Sequence, residues 1–237
     1  MCIRDSFYSL LLPELYSEIM KQTHHLITEG ANDFQDLLKM RIRPKILLAE
    51  NFEEALALYK RYHSSVLGII SDIEFPRAGS LDKEAGFALV ATIKKSALNL
   101  PIILQSSKKE YRARAEEMGC FFINKRSHGI LWALRNWLLQ CVGFDDFIFK
   151  KPNGEVVGKA KDIMEFYQQI AVVPSESLIY HGKNDHFSNW LSARGEFDIA
   201  KTLKPREVSE FSPEALRDFL LKTINELVIE KTHGIIN

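Results

Sequence analysis

The chain reads as an α/β protein, a doubly wound parallel sheet followed by a second, small and mainly helical module, and three observations predict this. Between Arg43 and Gln140 four short, continuous apolar runs alternate with segments of helical period. That alternation is the mark of strands buried on both faces and joined by crossover helices. The last three runs each finish on or beside a polar residue, Asp72, Ser106 and Lys125, and after Gln140 the alternation gives way to one hairpin signal and a series of helical segments.

The elements follow in order. A helical stretch over 15–28 precedes Gly30 and a second helical piece over 32–40; Leu15, Ile19, Gln22, His25 and Leu26 mix apolar and polar positions along the first. The alternation then runs strand Lys45–Ala49, helix Phe52–His63, strand Leu67–Ser71, helix Gly86–Ser96, strand Pro101–Gln105, helix Lys109–Met118, strand Cys120–Asn124 and helix Gly129–Gln140. Spacing supports the helices: Ala55, Leu56, Tyr59 and Tyr62 share one stripe, as do Phe87, Val90, Ile93 and, less regularly, Leu98. Parallel neighbours with helical connections take right-handed crossovers. In the second module 144–149 and 155–158 predict two short strands joined around Asn153-Gly154, residues that tolerate the positive φ of tight turns. Helices are expected at 161–171, 176–181, 186–193, 197–203 and 213–230, the last with Ser212 as N-cap and Pro213 in its first position. The boundary between modules is placed at residues 143 and 144, giving domains 1–143 and 144–237.

With 237 residues and 46% hydrophobic content, the chain can bury one good core and a smaller second one. Its 31 basic and 31 acidic residues cancel, which argues against a nucleic-acid partner at the whole-chain level. No apolar run reaches the ~20 residues of a membrane span, and the N-terminus lacks the order of a secretory signal, so no membrane association and a cytoplasmic location are expected. Cys2, Cys120 and Cys141 form no C-x-x-C pattern, which fits reduced thiols, with Cys120 as a small core residue.

A carboxylate ending a buried strand stands where open α/β sheets bind ligands and do chemistry. Asp72, Ser106 and Lys125 at three successive strand ends combine a nucleophile, a hydroxyl and an ammonium, which is a phosphoryl-accepting set. The plain alternative for Asp72 by itself is a loop aspartate capping a turn.

These residues resemble the flavodoxin-like receiver domain of two-component response regulators. In that family the acceptor aspartate ends the third strand before Ile-x-Met-Pro, and Asp72-Ile-Glu-Phe-Pro76 matches with Phe75 for Met. Ser106 follows Pro101-Ile-Ile as the hydroxyl residue of the fourth strand, and Lys125 follows Gly119-Cys120 as the lysine of the fifth. The resemblance implies that Asp72 attacks a phosphoryl group, Lys125 neutralises one of its oxygens, and Ser106 bonds another and reports the charge onward. It also implies Mg²⁺, held by an acidic pair at the end of the first strand together with the acceptor. Only 22 positions separate Glu50 from Asp72, so Lys45–Ala49 is the second strand and the first should end near residue 5. Asp5 and Asp72 are therefore the implied metal ligands. Met1–Ser6 also has the look of a spurious start, which predicts a truncated first strand. Two further departures are an insertion over 77–85 beside the acceptor, expected as a longer loop, and Lys125-Arg126-Ser127 in place of Lys-Pro.

A narrower resemblance spans most of the chain. The segments 7–13, 43–50 and 180–197, the last reading Tyr180-His-Gly-Lys-Asn-Asp-His-Phe-Ser-Asn-Trp190, are similar to the regulatory front end of phosphoenolpyruvate synthase-like fusion proteins of the pyruvate phosphate dikinase type. This implies a regulatory module that signals to an attached or associated phosphoenolpyruvate synthase-like catalytic unit, with a histidine kinase or a small phosphodonor upstream. Two competing expectations are a degenerate receiver acting only as an interaction scaffold and a non-catalytic fragment of a larger kinase. Catalysis by these residues is not expected, since no G-x-x-x-x-G-K-[ST] loop is present. His181 and His186, five apart, lack the i, i+4 spacing of two imidazoles on one metal-binding helix face; Tyr180, His186, Phe187, Trp190 and Phe197 read instead as an aromatic-rich helix packing core or an interdomain contact. Lys108, Lys109, Arg112 and Arg114 form a basic face beyond Ser106, and Trp132 and Trp137 fall on the helix after Lys125.

Overall fold

The computed structural model describes residues 11–28, 44–203 and 212–233, and the chain is mixed α/β. It divides into two compact units, one over Lys45–Trp137 and the other over Leu138–Asn237, with residues 1–15 grouped with the first and 16–44 with the second. The expected helix at 32–40, the first strand and Asp5 lie outside the described residues. Helix α1 (Leu12–Thr28) buries Leu15, Glu18, Ile19 and Gln22, a stripe at helical spacing.

In the first unit, β1 (Ile69–Asp72), β4 (Ile102–Ser106) and β5 (Phe121–Asn124) form a parallel sheet in the order β1-β4-β5. Register is fixed by Asp72 opposite Gln105 and by Ser106 opposite Asn124. The middle strand β4 is buried throughout, as a continuous apolar run requires; β1 is half-buried along its length. Helices α2 (Phe52–Tyr62), α3 (Ala85–Lys94), α4 (Tyr111–Glu117) and α5 (Ile130–Trp137) fall between and after the strands. Asn51 caps α2 by accepting the Glu54 N–H at 2.9 Å. Phe87, Val90 and Ile93 of α3 pack with Ile102, Leu104 and Phe122 in one core, and Ala55, Leu56 and Tyr59 lean on it. Leu98 is 70% exposed, because the helix ends at Lys94 and leaves it beyond the stripe.

Two expectations in this unit are corrected. Residues 44–49 form no strand, and Leu47 and Leu48 are 51% and 43% exposed. A strand exists only where a neighbour completes its ladder, and among the described residues none pairs with this run or with the outer edge of β1. The insertion is not an open loop but a hairpin, β2 (Phe75–Arg77) with antiparallel β3 (Ser80–Asp82). Its turn residues Ala78 and Gly79 have φ of 51° and 79°, the double left-handed geometry of a type I′ turn. Glu53 accepts the Ala78 N–H at 3.0 Å and the Arg77 guanidinium lies 4.7 Å from the Phe52 ring, tying the hairpin to α2.

The second unit carries the antiparallel hairpin β6 (Phe147–Lys150) and β7 (Val156–Ala160). The connection is wider than an Asn-Gly pair: Lys151 N–H donates to Glu155 O, with Gly154 at φ 88° and Asn153 Oδ1 accepting the Glu155 N–H. Helices α6 (Ile163–Val172), α7 (Ser175–Lys183), α8 (His186–Ala193), α9 (Phe197–Leu203) and α10 (Pro213–His233) follow, α10 capped by Ser212 Oγ on the Ala215 N–H. Phe147, Phe149, Phe166, Phe187 and Trp190 form its core. Trp190 Nε1 donates to Asp145 O, which satisfies a buried donor. No described helix is long and apolar enough to cross a membrane.

Candidate functional site

Parallel strands direct their carboxyl ends to one rim of the sheet, and the polar residues of the first unit gather there. Asp72 ends β1, Ser106 ends β4, and Asn124 ends β5 with Lys125 the next residue. Lys125 N–H donates to Ser106 O, and Ile73 N–H to Gln105 O, so the ladder holds all three ends in register. Lys125 Nζ lies 2.6 Å from Asp72 Oδ1, with both side chains 19% exposed. Strands are about 4.8 Å apart, so β1 and β5 are roughly 10 Å apart and the lysine must extend across the end of β4 to make this contact. Ser106 terminates that middle strand. Its hydroxyl accepts the Lys108 N–H at 3.2 Å. The structure thus joins Asp72 and Lys125 directly and sets Ser106 on the strand between them.

A second ion pair links the loops that leave the same rim. Lys108 Nζ lies 2.5 Å from Glu74 Oε1, which also accepts from Tyr111 Oη at 3.2 Å. The Lys108 hydrogen bond holds the Glu74 carboxyl below the usual range, and the same bond holds the lysine's affinity for its proton above the ordinary value. Of the basic face, Arg112 pairs with Glu116 and Arg114 makes a two-pronged contact with Glu84. Its charges are therefore largely answered within the unit.

Gly86 fixes the floor of the site. Its N–H donates to Ile73 O at 2.9 Å, and a Cβ built there would stand 2.4 Å from Asp72 O. Only a residue without a side chain lets α3 approach the end of β1 so closely. Asn124 is buried; its Oδ1 accepts the Arg126 N–H at 2.8 Å, while its Nδ2 finds no hydrogen-bond partner among the described residues. The sequence reading did not single out Glu74, Asn124 or the role of Gly86. The signal for Glu74 and Lys108 is their position, each two residues beyond a strand-end site residue.

Mg²⁺ needs several hard oxygen ligands. The described residues do not supply that set: Asp72 is one carboxylate, Glu74 is committed to Lys108 and Tyr111, and no group of three or more His, Cys, Asp or Glu side chains is arranged to hold a metal. Asp5 lies outside the described residues. Comparison with protein-family models, curated proteins and solved structures finds no match to this chain.

Proposed function

We propose that the first unit is a receiver-like module in which Asp72 accepts a phosphoryl group, and that its three parallel strands belong to a doubly wound, flavodoxin-like sheet. The observation that carries this reading is the Asp72–Lys125 contact across the end of the strand bearing Ser106. An Asp72 carboxylate oxygen attacks phosphorus as the donor's leaving oxygen departs, forming an acyl phosphate and releasing, from acetyl phosphate, acetate. The Lys125 ammonium exchanges a carboxylate oxygen for a phosphoryl oxygen, balancing the charge that arrives. Ser106 gives up its present acceptance of the Lys108 N–H or donates its own O–H to the phosphoryl group; either change reaches α4 through the loop that carries Lys108.

The upstream partner in this reading is a histidine kinase or a small phosphodonor, and the downstream one a phosphoenolpyruvate synthase-like catalytic unit, attached or associated. Mg²⁺ would take one ligand from Asp72 and require another, for which the family resemblance offers Asp5. The test is intact mass after incubation with acetyl phosphate and Mg²⁺. One phosphoryl adduct on the wild-type chain, absent from Asp72→Asn, is expected. No adduct on the wild type would overturn phosphoryl transfer and leave the module as an interaction scaffold.

A further inference from the structure

Two imidazoles meet inside the second unit, and the phosphoryl-accepting reading uses neither. His181 on α7 is buried and His186 opens α8 half-buried. Their Nδ1 atoms are 2.9 Å apart, and His181 Nε2 accepts the backbone N–H of Lys150 in β6 at 2.8 Å. These contacts fix where the protons are. A backbone N–H only donates, so His181 Nε2 is unprotonated and the neutral ring carries its hydrogen on Nδ1. That hydrogen can be received only by an unprotonated Nδ1 on His186, whose own hydrogen is then on Nε2. The chain of donors runs one way, from Lys150 through His181 to His186.

This arrangement excludes two other states of the pair. A metal on His181 Nδ1 would drive its proton to Nε2, directly against the Lys150 N–H. Protonation of His181 produces the same opposition of donors at Nε2, and protonation of His186 produces it between the two Nδ1 atoms. Every cause that shifts the two rings disfavours their charged forms. The His181 ring is packed by Phe147 and Phe149 of β6, Tyr180 of α7 and Phe187 of α8. Of the charged groups, Lys150 on β6 repels a cation on either ring; Glu176 on α7 is paired with Lys151; Arg217 on α10 is bound to Ile170 O, Val173 O and Ser175 Oγ. Burial, then His186 and Lys150, push His181 down to about 3; burial, then Lys150, push His186 down to about 4.

We infer that the His181–His186 pair is an acid-released latch: neutral, it ties the end of β6 to α7 and α8, and protonated, it lets the β6–β7 hairpin go. In the opened form the imidazoles regain their ordinary value of 6.5, so that form takes up protons first as the pH falls. The latch is fully engaged above pH 6.5 and is lost as the pH drops toward about 4. Release reaches beyond one hydrogen bond, because Phe147 of β6 packs against Phe166, Phe187 and Trp190 at the centre of the core.

The experiment uses the full chain labelled with ¹⁵N. At pH 7.5, long-range ring correlations should place the proton of His181 on Nδ1 and that of His186 on Nε2. Hydrogen exchange then follows the Lys150 amide, referenced to the amides of β4. Its protection relative to β4 should fall at least ~10-fold between pH 7 and pH 5, and should fall markedly less in His181→Gln, whose Oε1 accepts the same N–H without titrating and which leaves only the His186 ring to take up a proton. Because that variant can fail to fold, His186→Gln serves as a second: it removes one titrating ring, and the midpoint of release should move to lower pH. A His181 proton on Nε2, or Lys150 protection that keeps its ratio to β4 between pH 7 and pH 5, would overturn the latch.

Discussion

Substituting Gly86→Ala tests whether the floor of the site depends on the close approach of α3 to β1. The added methyl would stand 2.4 Å from Asp72 O, 2.8 Å from Ile73 Cα and 3.2 Å from Asp72 C. All three are backbone atoms of paired or packed elements, so no side chain can swing aside. Restoring ordinary contact requires a relative displacement on the order of 1 Å, which also stretches the Gly86 N–H to Ile73 O bond. Overpacking of this kind costs ~1–3 kcal/mol and the weakened bond about 1 more, against which alanine's helix preference returns up to ~1. The net is about 2 kcal/mol, a fall in Tm on the order of 10 °C for a unit of this size. The Asp72 carboxylate moves with the backbone, so on the proposed function adduct formation from acetyl phosphate should slow by as much as ~100-fold. Calorimetry and timed intact mass read the two effects. Gly79→Ala is the control, since nothing lies within 4 Å of its Cβ and only its φ of 79° is strained. Gly86→Ala melting within a degree of wild type at an unchanged rate would refute the reasoning.

Other perturbations have equally specific outcomes. Lys125→Ala should leave Asp72 able to attack but without its charge partner, lowering adduct yield at fixed time by at least ~10-fold in the same mass assay. Arg194→Met should lower the urea midpoint of the second unit by an amount equivalent to roughly 3 kcal/mol, since it strips a buried guanidinium from Gly143 O, Asp145 O and Lys161 O. Glu74 is held below its ordinary 4.5 in the folded chain, so the stability it contributes is complete above pH 4.5 and lost as pH falls below it; Glu74→Gln should flatten that part of the stability profile. Ala78→Gly should be neutral or stabilising in thermal melts, because a non-glycine residue there already holds φ at 51°.

What the sequence made legible was whatever depends on local period and strand-end chemistry. The apolar runs ending at Asp72, Ser106 and Asn124 became strands within a residue or two, because each has a parallel neighbour that completes its ladder. Lys45–Ala49 has the same composition and became no strand, since pairing is a property of the neighbour and not of the run. The hairpin at 75–82 was illegible for a related reason: Ala78 supplies no left-handed preference, and its geometry is held by Gly79, the Glu53 contact and Arg77 over Phe52. At the site, the placement of Asp72, Ser106 and Lys125 at neighbouring strand ends was readable from where the apolar runs stop. Glu74 was not, because its partner Lys108 lies 34 positions away and only the sheet order brings their loops together.

The two units use polar side chains in different ways. In the first, Asp72 and Lys125 pair at a rim where both remain partly open to solvent, with Ser106 on the strand between. A partner able to offer more than the present contact, such as a phosphoryl group, can take them over. In the second, several polar side chains are committed to main-chain atoms: Arg194 and Arg217 to carbonyls, His181 to the Lys150 N–H, Trp190 to Asp145 O. Removing any of them orphans a backbone group rather than exposing a reactive one. Substitutions in that unit should therefore register first as lost stability. Those at the β1-β4-β5 rim should register in phosphoryl uptake while the fold survives.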